Sequence, residues 1–125
     1  MRDIELALPD EPGALGTFGA VLGRAGVSLE GGGVFAGHAH FLVSSSSAAA
    51  AALEDAGLGP VTVNDVVMLR LDQEQPGSLG LTAARFGAAG INIRTQYSDH
   101  AGNLILIVDP AQHETATALA AELTR

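Results

Sequence analysis

The sequence predicts an α+β protein made of two tandem βαββαβ units, the second lacking its last strand. Three observations carry this reading: an internal repeat, apolar patterns that switch between strand and helix periods within each copy, and the composition of a globular chain. The repeat comes first, because self-similarity decides how many units there are. Glu11-Pro12-Gly13-Ala14-Leu15-Gly16 returns as Gln75-Pro76-Gly77-Ser78-Leu79-Gly80, 64 positions later. The same shift carries Ala25-Gly26-Val27-Ser28-Leu29 onto Ala89-Gly90-Ile91-Asn92-Ile93, and Phe41-Leu42-Val43 onto Ile105-Leu106-Ile107. It divides the chain into copies at residues 1–65 and 66–125. Units of roughly 60 residues bury too little surface to be comfortable alone, so the halves are expected to pack on each other, on a second chain, or both.

The first copy reads in order. Ile4, Leu6 and Leu8 alternate with Glu5 and Ala7, the period-2 mark of a half-buried strand. Pro12-Gly13 punctuates the chain, and Ala14, Leu15, Phe18, Leu22 and Ala25 then recur at helical spacing until Gly26 closes the helix. Val27 to Glu30 starts a second strand, which the glycines at 31 to 33 loosen, and His38 to Val43 gives a third. The serines at 44 to 47 offer an N-cap to an Ala-rich helix ending near Gly57, and Val61-Thr62-Val63 is a short fourth strand. Strand, helix, strand, strand, helix, strand is the ferredoxin-like order. In it the first and third strands are central, and the apolar run Leu104 to Val108 suits a strand covered on both faces.

The second copy signals its last helix with Asp109 as N-cap and Pro110 at the first helical position. Residues 61–65 moved by the repeat would fall at 125–129, where only Arg125 is present, so this copy is expected to leave a sheet edge open or to have it filled by another segment. A phase change also separates the copies. Ile4, Leu6 and Leu8 fall onto Met68, Arg70 and Asp72, whereas the apolar set is Val67, Leu69 and Leu71, and the sequence leaves the inward face undecided.

Both copies resemble the ACT domain family, whose mark is an acidic or amide residue, any residue, Pro-Gly and an apolar helix, then a strand reading Gly-apolar-polar-apolar. Copy two supplies Glu74-Gln75-Pro76-Gly77-Ser78-Leu79 and Gly90-Ile91-Asn92-Ile93; copy one supplies Asp10-Glu11-Pro12-Gly13-Ala14-Leu15 and Gly26-Val27-Ser28-Leu29. Copy two is similar to amino-acid-binding regulatory domains such as that of phosphoglycerate dehydrogenase, through Gly90 to Asn92 and Gln96-Tyr97. The resemblance implies a ligand held between two units by polar residues of the first loop and an amide on the second strand. Those places are Asp72, Glu74 and Asn92 here, and Leu8, Asp10 and Ser28 in copy one. The acidic pair departs from the family pattern: it favours an ammonium end over a carboxylate.

The chemistry of binding stands beside the resemblance. A helix that begins after Pro-Gly presents unpaired N–H groups, from Ala14 and Leu15 or Ser78 and Leu79, and the positive end of its dipole, which suits a carboxylate. Gly13 and Gly77 allow close approach to the backbone. Asp10 or Glu74 can accept from an ammonium, and Asn92 can read either end. The expected ligand contacts are Asp10, Glu11, Gly13, Ala14, Leu15 and Ser28 in copy one, and Asp72, Glu74, Gln75, Gly77, Ser78, Leu79, Asn92 and Ile93 in copy two. The competing reading makes Asp10 and Glu74 helix caps and puts Ser28 and Asn92 on solvent-facing edge strands.

Other function classes find less support. The chain is 47% hydrophobic with 4% aromatic residues, carries a net charge of -8, and its six basic residues are scattered arginines, so no nucleic-acid footprint exists. No apolar run approaches the roughly 20 residues that a membrane helix needs. Met1-Arg2-Asp3 leads straight into a strand, so no targeting peptide is expected and cytoplasmic location is the default. Cysteine is absent. His38-Ala39-His40 puts two imidazoles on one strand face, but no third His stands at ligand spacing, and no metal or other cofactor is expected. Ser98, Asp99 and His100 are adjacent in one turn, which prevents the geometry of a catalytic triad. The expectation is therefore a non-enzymatic regulatory or sensor protein, a homodimer, that binds an amino acid; the alternative is an oligomerisation or interaction module without a ligand that regulates a partner enzyme.

Overall fold

The computed structural model describes residues 1–72 and 74–124. The chain separates into two units, Met1–Asn64 and Asp65–Arg125. Among the described residues no helix is long and apolar enough to cross a membrane.

In unit 1 the alternating residues at the start of the chain form β1 (Arg2–Ala7), followed by α1 (Ala14–Arg24), β2 (Gly31–Phe35), β3 (His38–Val43), α2 (Ser46–Asp55) and β4 (Thr62–Asn64). The sheet order is β2-β3-β1-β4, antiparallel throughout, so the first and third strands are central. Ile4, Leu6, Ala39 and Val43 face Phe18 and Leu22 of α1 and Ala49 and Leu53 of α2 in one core. Phe18 also meets Phe41 with ring centroids 5.2 Å apart. Each large side chain buried in this way stabilises the unit by about 1.5–3 kcal/mol.

The second strand begins later than the sequence suggests, at Gly31 instead of Val27. The Val27 N–H donates to Leu22 O (3.0 Å) and Gly26 has φ +73°, so these residues close α1 in a Schellman turn before the ladder can start. The glycines then serve the strand instead of loosening it. A Cβ on Gly32 would stand 2.1 Å from the carbonyl oxygen of His40, so only glycine permits this approach of β2 to β3. Ala36 and Gly37, both at positive φ, close the β2–β3 hairpin in the primed geometry that matches strand twist. Ser45 occupies the N-cap of α2, but its hydroxyl makes no capping hydrogen bond.

Unit 2 comprises β5 (Val67–Arg70), α3 (Ser78–Ala88), β6 (Ile93–Ser98), β7 (Asn103–Val108) and α4 (His113–Leu123). Its sheet has three strands in the order β5-β7-β6, and β5 has no partner on its outer edge among the described residues. Val67, Leu69, Leu104, Leu106 and Val108 pack against Phe86, Ala116 and Ala120. Pro110 opens a 3₁₀ turn, Pro110–Gln112, instead of the helix, and the Asp109 carboxylate accepts from Arg94 (3.2 Å) instead of capping.

The pairing registers resolve the phase change. Ile4 pairs with Phe41 and Val67 with Leu106, and all four side chains face the helices of their units. Ile4 therefore corresponds to Val67, 63 positions on, and Phe41 to Leu106, 65 positions on. The shift of 64 holds for the Pro-Gly loop and the helix but not for the two central strands. One extra residue lies between Leu71 and Pro76 compared with Leu8 and Pro12, and another lies in the β6–β7 hairpin. Because side chains alternate across a strand, each one-residue offset exchanges the faces.

Candidate functional site

The Pro-Gly loop of unit 2 forms one wall of a cleft of about 480 Å³. Leu71, Gln75, Pro76, Gly77, Ser78, Leu79, Gln96, Ser98 and Leu104 line it. Its size falls within the roughly 300–1,000 Å³ of small-molecule sites. Gly77 stands at the N-cap of α3 with φ +85°, and a Cβ there would meet nothing within 4 Å, so the backbone is approachable. The Ser78 N–H donates to Gln75 O (3.2 Å) and the Leu81 N–H to Gly77 O (3.0 Å). The first-turn N–H groups without an intrahelical acceptor are thus those of Leu79 and Gly80, one residue later than the sequence reading placed them. The loop of unit 1 repeats the pattern. Gly13 has φ +88°, the Ala14 N–H donates to Glu11 O (3.3 Å) and the Thr17 N–H to Gly13 O (2.9 Å), which leaves Leu15 and Gly16.

Of the residues expected to touch a ligand in copy two, the cleft gathers Gln75, Gly77, Ser78 and Leu79. Asp72 and Glu74 stand outside its lining; the Asp72 carboxylate accepts from the Glu74 N–H (3.2 Å) and so braces the loop. Asn92 and Ile93 lie at the other end of the sheet. Arg70 and Ser98 mark the loop end of β5 and β6, and Val67 and Ile93 mark the far end. There the Asn92 N–H donates to Gln112 Oε1 (3.3 Å), and Gln112 Nε2 donates to Gly90 O (2.7 Å). Unit 1 is laid out alike: Asp10, Glu11 and Leu15 are exposed at the loop, and Ser28 is exposed before β2 at the opposite end.

The cleft also contains Leu71, Pro76, Gln96, Ser98 and Leu104, which sequence reasoning did not place there. A signal for two of them existed: Gln96 and Ser98 alternate with buried Tyr97, on the half of β6 that ends beside the loop. The turn after β6 is structural. The Asp99 carboxylate accepts from the Ala101 N–H (3.0 Å), the Asn103 N–H (2.7 Å) and Asn103 Nδ2 (2.9 Å). Desolvation pushes the Asp99 carboxyl up, but these hydrogen bonds, with a smaller contribution from Arg70, hold it below its ordinary value.

Unit 1 carries a separate polar cluster, on the sheet face turned away from its helices. Asp3 is fully buried there, and its Oδ2 accepts from His40 Nδ1 (3.0 Å) and Asn64 Nδ2 (3.0 Å). Glu5 accepts from Asn64 Nδ2 through Oε1 (2.9 Å) and from His38 Nε2 through Oε2 (2.9 Å). Desolvation pushes the Glu5 carboxyl up, but the hydrogen bonds from Asn64 and His38 and the charges of both imidazoles outweigh it, so Glu5 sits below the ordinary glutamate value. The His38-Ala39-His40 pair therefore meets a third potential ligand, Glu5, which β1 brings across from 33 residues away.

No family model matches the sequence, and no curated protein matches it. Solved structures do. Protein BT0572 from Bacteroides thetaiotaomicron aligns with a TM-score of 0.75 at 22% identity, over 97% of this chain and 86% of that one. The ligand-free regulatory subunit of aspartate kinase from Thermus thermophilus aligns with a TM-score of 0.72 at 19% identity, over 97% and 89%. The corresponding subunit from Thermus flavus gives 0.70 at 18%, over 97% and 90%. These likenesses extend across both units, and the fold is that of two tandem ferredoxin-like, ACT-like units.

Proposed function

We propose that this tandem ACT-type protein is a sensor that binds a free amino acid in the unit 2 cleft and passes its occupancy to a partner enzyme. The observation that supports this best is the meeting of an open helix N-terminus with uncharged polar side chains at one cleft that Leu71 and Leu104 also line. The ligand carboxylate accepts from the Leu79 and Gly80 N–H groups at the positive end of α3. The ammonium donates to the side-chain oxygens of Gln96 and Ser98, and an apolar side chain lies on Leu71 and Leu104. Asp72 and Glu74, at the mouth, add a negative field that favours the ammonium over a second carboxylate. Two of the similar structures are regulatory subunits of aspartate kinase, which supports a regulatory, non-catalytic role.

A thermal-shift screen against the twenty amino acids tests the proposal. A ligand at a hundredfold excess over its Kd stabilises the native state by about 2.7 kcal/mol. For a unit of this size that is a rise in Tm of roughly 10–20 °C. No shift for any of them at millimolar concentration contradicts it.

A second reading, assembly without a ligand, draws on the outer edge of β5, which has no strand partner among the described residues. Such an edge can pair with another chain. The two readings share a homodimer and part on the screen: the assembly module alone shows no ligand-dependent shift.

A further inference from the structure

Glu5, His38 and His40 converge on the sheet face of unit 1 that points away from its helices. Glu5 pairs with His40 across β1 and β3, and His38 is two residues from His40 on the same face. Glu5 Oε2 lies 2.9 Å from His38 Nε2 and 3.6 Å from His40 Nε2. A tetrahedral site with bonds of roughly 2.0–2.2 Å holds its ligand atoms about 3.3–3.6 Å apart, so the His40 separation already fits and the His38 pair needs to open by only about half an ångström. We propose that Glu5, His38 and His40 form a binding site for a zinc-class divalent cation, with a fourth position left to water.

The surroundings prepare each ligand for that role. Asp3, fully buried, accepts from His40 Nδ1 and so turns the Nε2 lone pair toward Glu5. This is the carboxylate–histidine support that orients imidazoles in metal sites. Asn64 Nδ2 holds Glu5 Oε1 and Asp3 Oδ2 together, which leaves Glu5 Oε2 to face both imidazoles. Two imidazoles and one carboxylate suit zinc, nickel or cobalt, whereas magnesium and calcium take oxygen ligands. The side chain of His38 is 51% exposed, so the site is reachable from solvent.

The site belongs to unit 1 and stands independently of the unit 2 cleft. The test is calorimetric titration of the chelator-treated full chain with Zn²⁺, paired with Co²⁺ titration read by visible absorption. The expected result is one Zn²⁺ per chain and the intense visible band of tetrahedral cobalt. Asn64→Ala is expected to weaken binding by about 10–100-fold as the loss of an outer support. His38→Ala, at an exposed position, and Glu5→Gln are expected to weaken it at least as much, with the fold checked by circular dichroism. Absence of binding at millimolar Zn²⁺, or affinity unchanged in folded His38→Ala, overturns the proposal and leaves the cluster as an ion-pair network that holds Asp3.

Discussion

Replacing Gly32 and Gly33 by alanine in turn separates a glycine that β2 needs from one it can lose. A Cβ at Gly32 would stand 2.1 Å from His40 O, 2.7 Å from Phe41 Cα and 2.9 Å from the His40 carbonyl carbon, all backbone atoms of β3. Relief requires β2 to move away by about 1 Å, which removes two or three ladder hydrogen bonds worth about 0.5–1.5 kcal/mol each. The backbone at φ +125° adds about 1–3 kcal/mol of strain for any side chain. The sum, about 2–7 kcal/mol, is comparable to the whole stability of a unit of this length, at about 0.05–0.15 kcal/mol per residue. Gly33→Ala is the control, because its Cβ would meet only the ring of Phe35 at 3.1 Å, and that ring is 65% exposed and free to swing. Urea unfolding should show Gly32→Ala losing most of the stability of unit 1 and Gly33→Ala staying within about 1 kcal/mol of the parent. Equal midpoints for the two variants would refute the close-approach argument.

Two further perturbations follow from the core and the polar cluster. Phe86 is fully buried, so Phe86→Ala is expected to cost about 3–5 kcal/mol in a denaturation experiment, with the loss confined to unit 2 by hydrogen exchange. Glu5 is held below the ordinary glutamate value in the folded state, so its stabilising contribution is complete above the unfolded pKa of about 4.3 and is lost as pH falls through the lower folded value. Urea midpoints measured with a chelator between pH 6 and pH 3 should fall less steeply for Glu5→Gln; an identical slope would show that Glu5 carries no such linkage.

Much of the fold was legible because its signals are local. The alternation of Ile4, Leu6 and Leu8 and the apolar run at Leu104 to Val108 locate central strands, and the ferredoxin-like order follows from the sequence of elements. Face assignment was not legible, because an ungapped repeat hides two one-residue insertions that cancel in the β5–β7 pairing. The start of β2 was missed because Val27 looks like a strand residue while its N–H is committed to Leu22. At the candidate site, the loop residues Gln75 to Leu79 were readable from Pro-Gly. The strand side of the unit 2 cleft was not, because α3 runs back along the sheet and brings Gln96 beside the loop. Glu5 beside His38 and His40 is a cross-strand encounter, and spacing along the chain carries no trace of it.

The most direct test of the central claim is calorimetric titration of the best amino acid from the screen into the parent chain, Gln96→Ala and Asn92→Ala. One site in unit 2 is expected, with affinity weakened by about tenfold or more in Gln96→Ala for the lost hydrogen bond and unchanged in Asn92→Ala. Binding that is indifferent to Gln96 but abolished by Asn92→Ala would contradict it and move the ligand to the opposite end of the sheet.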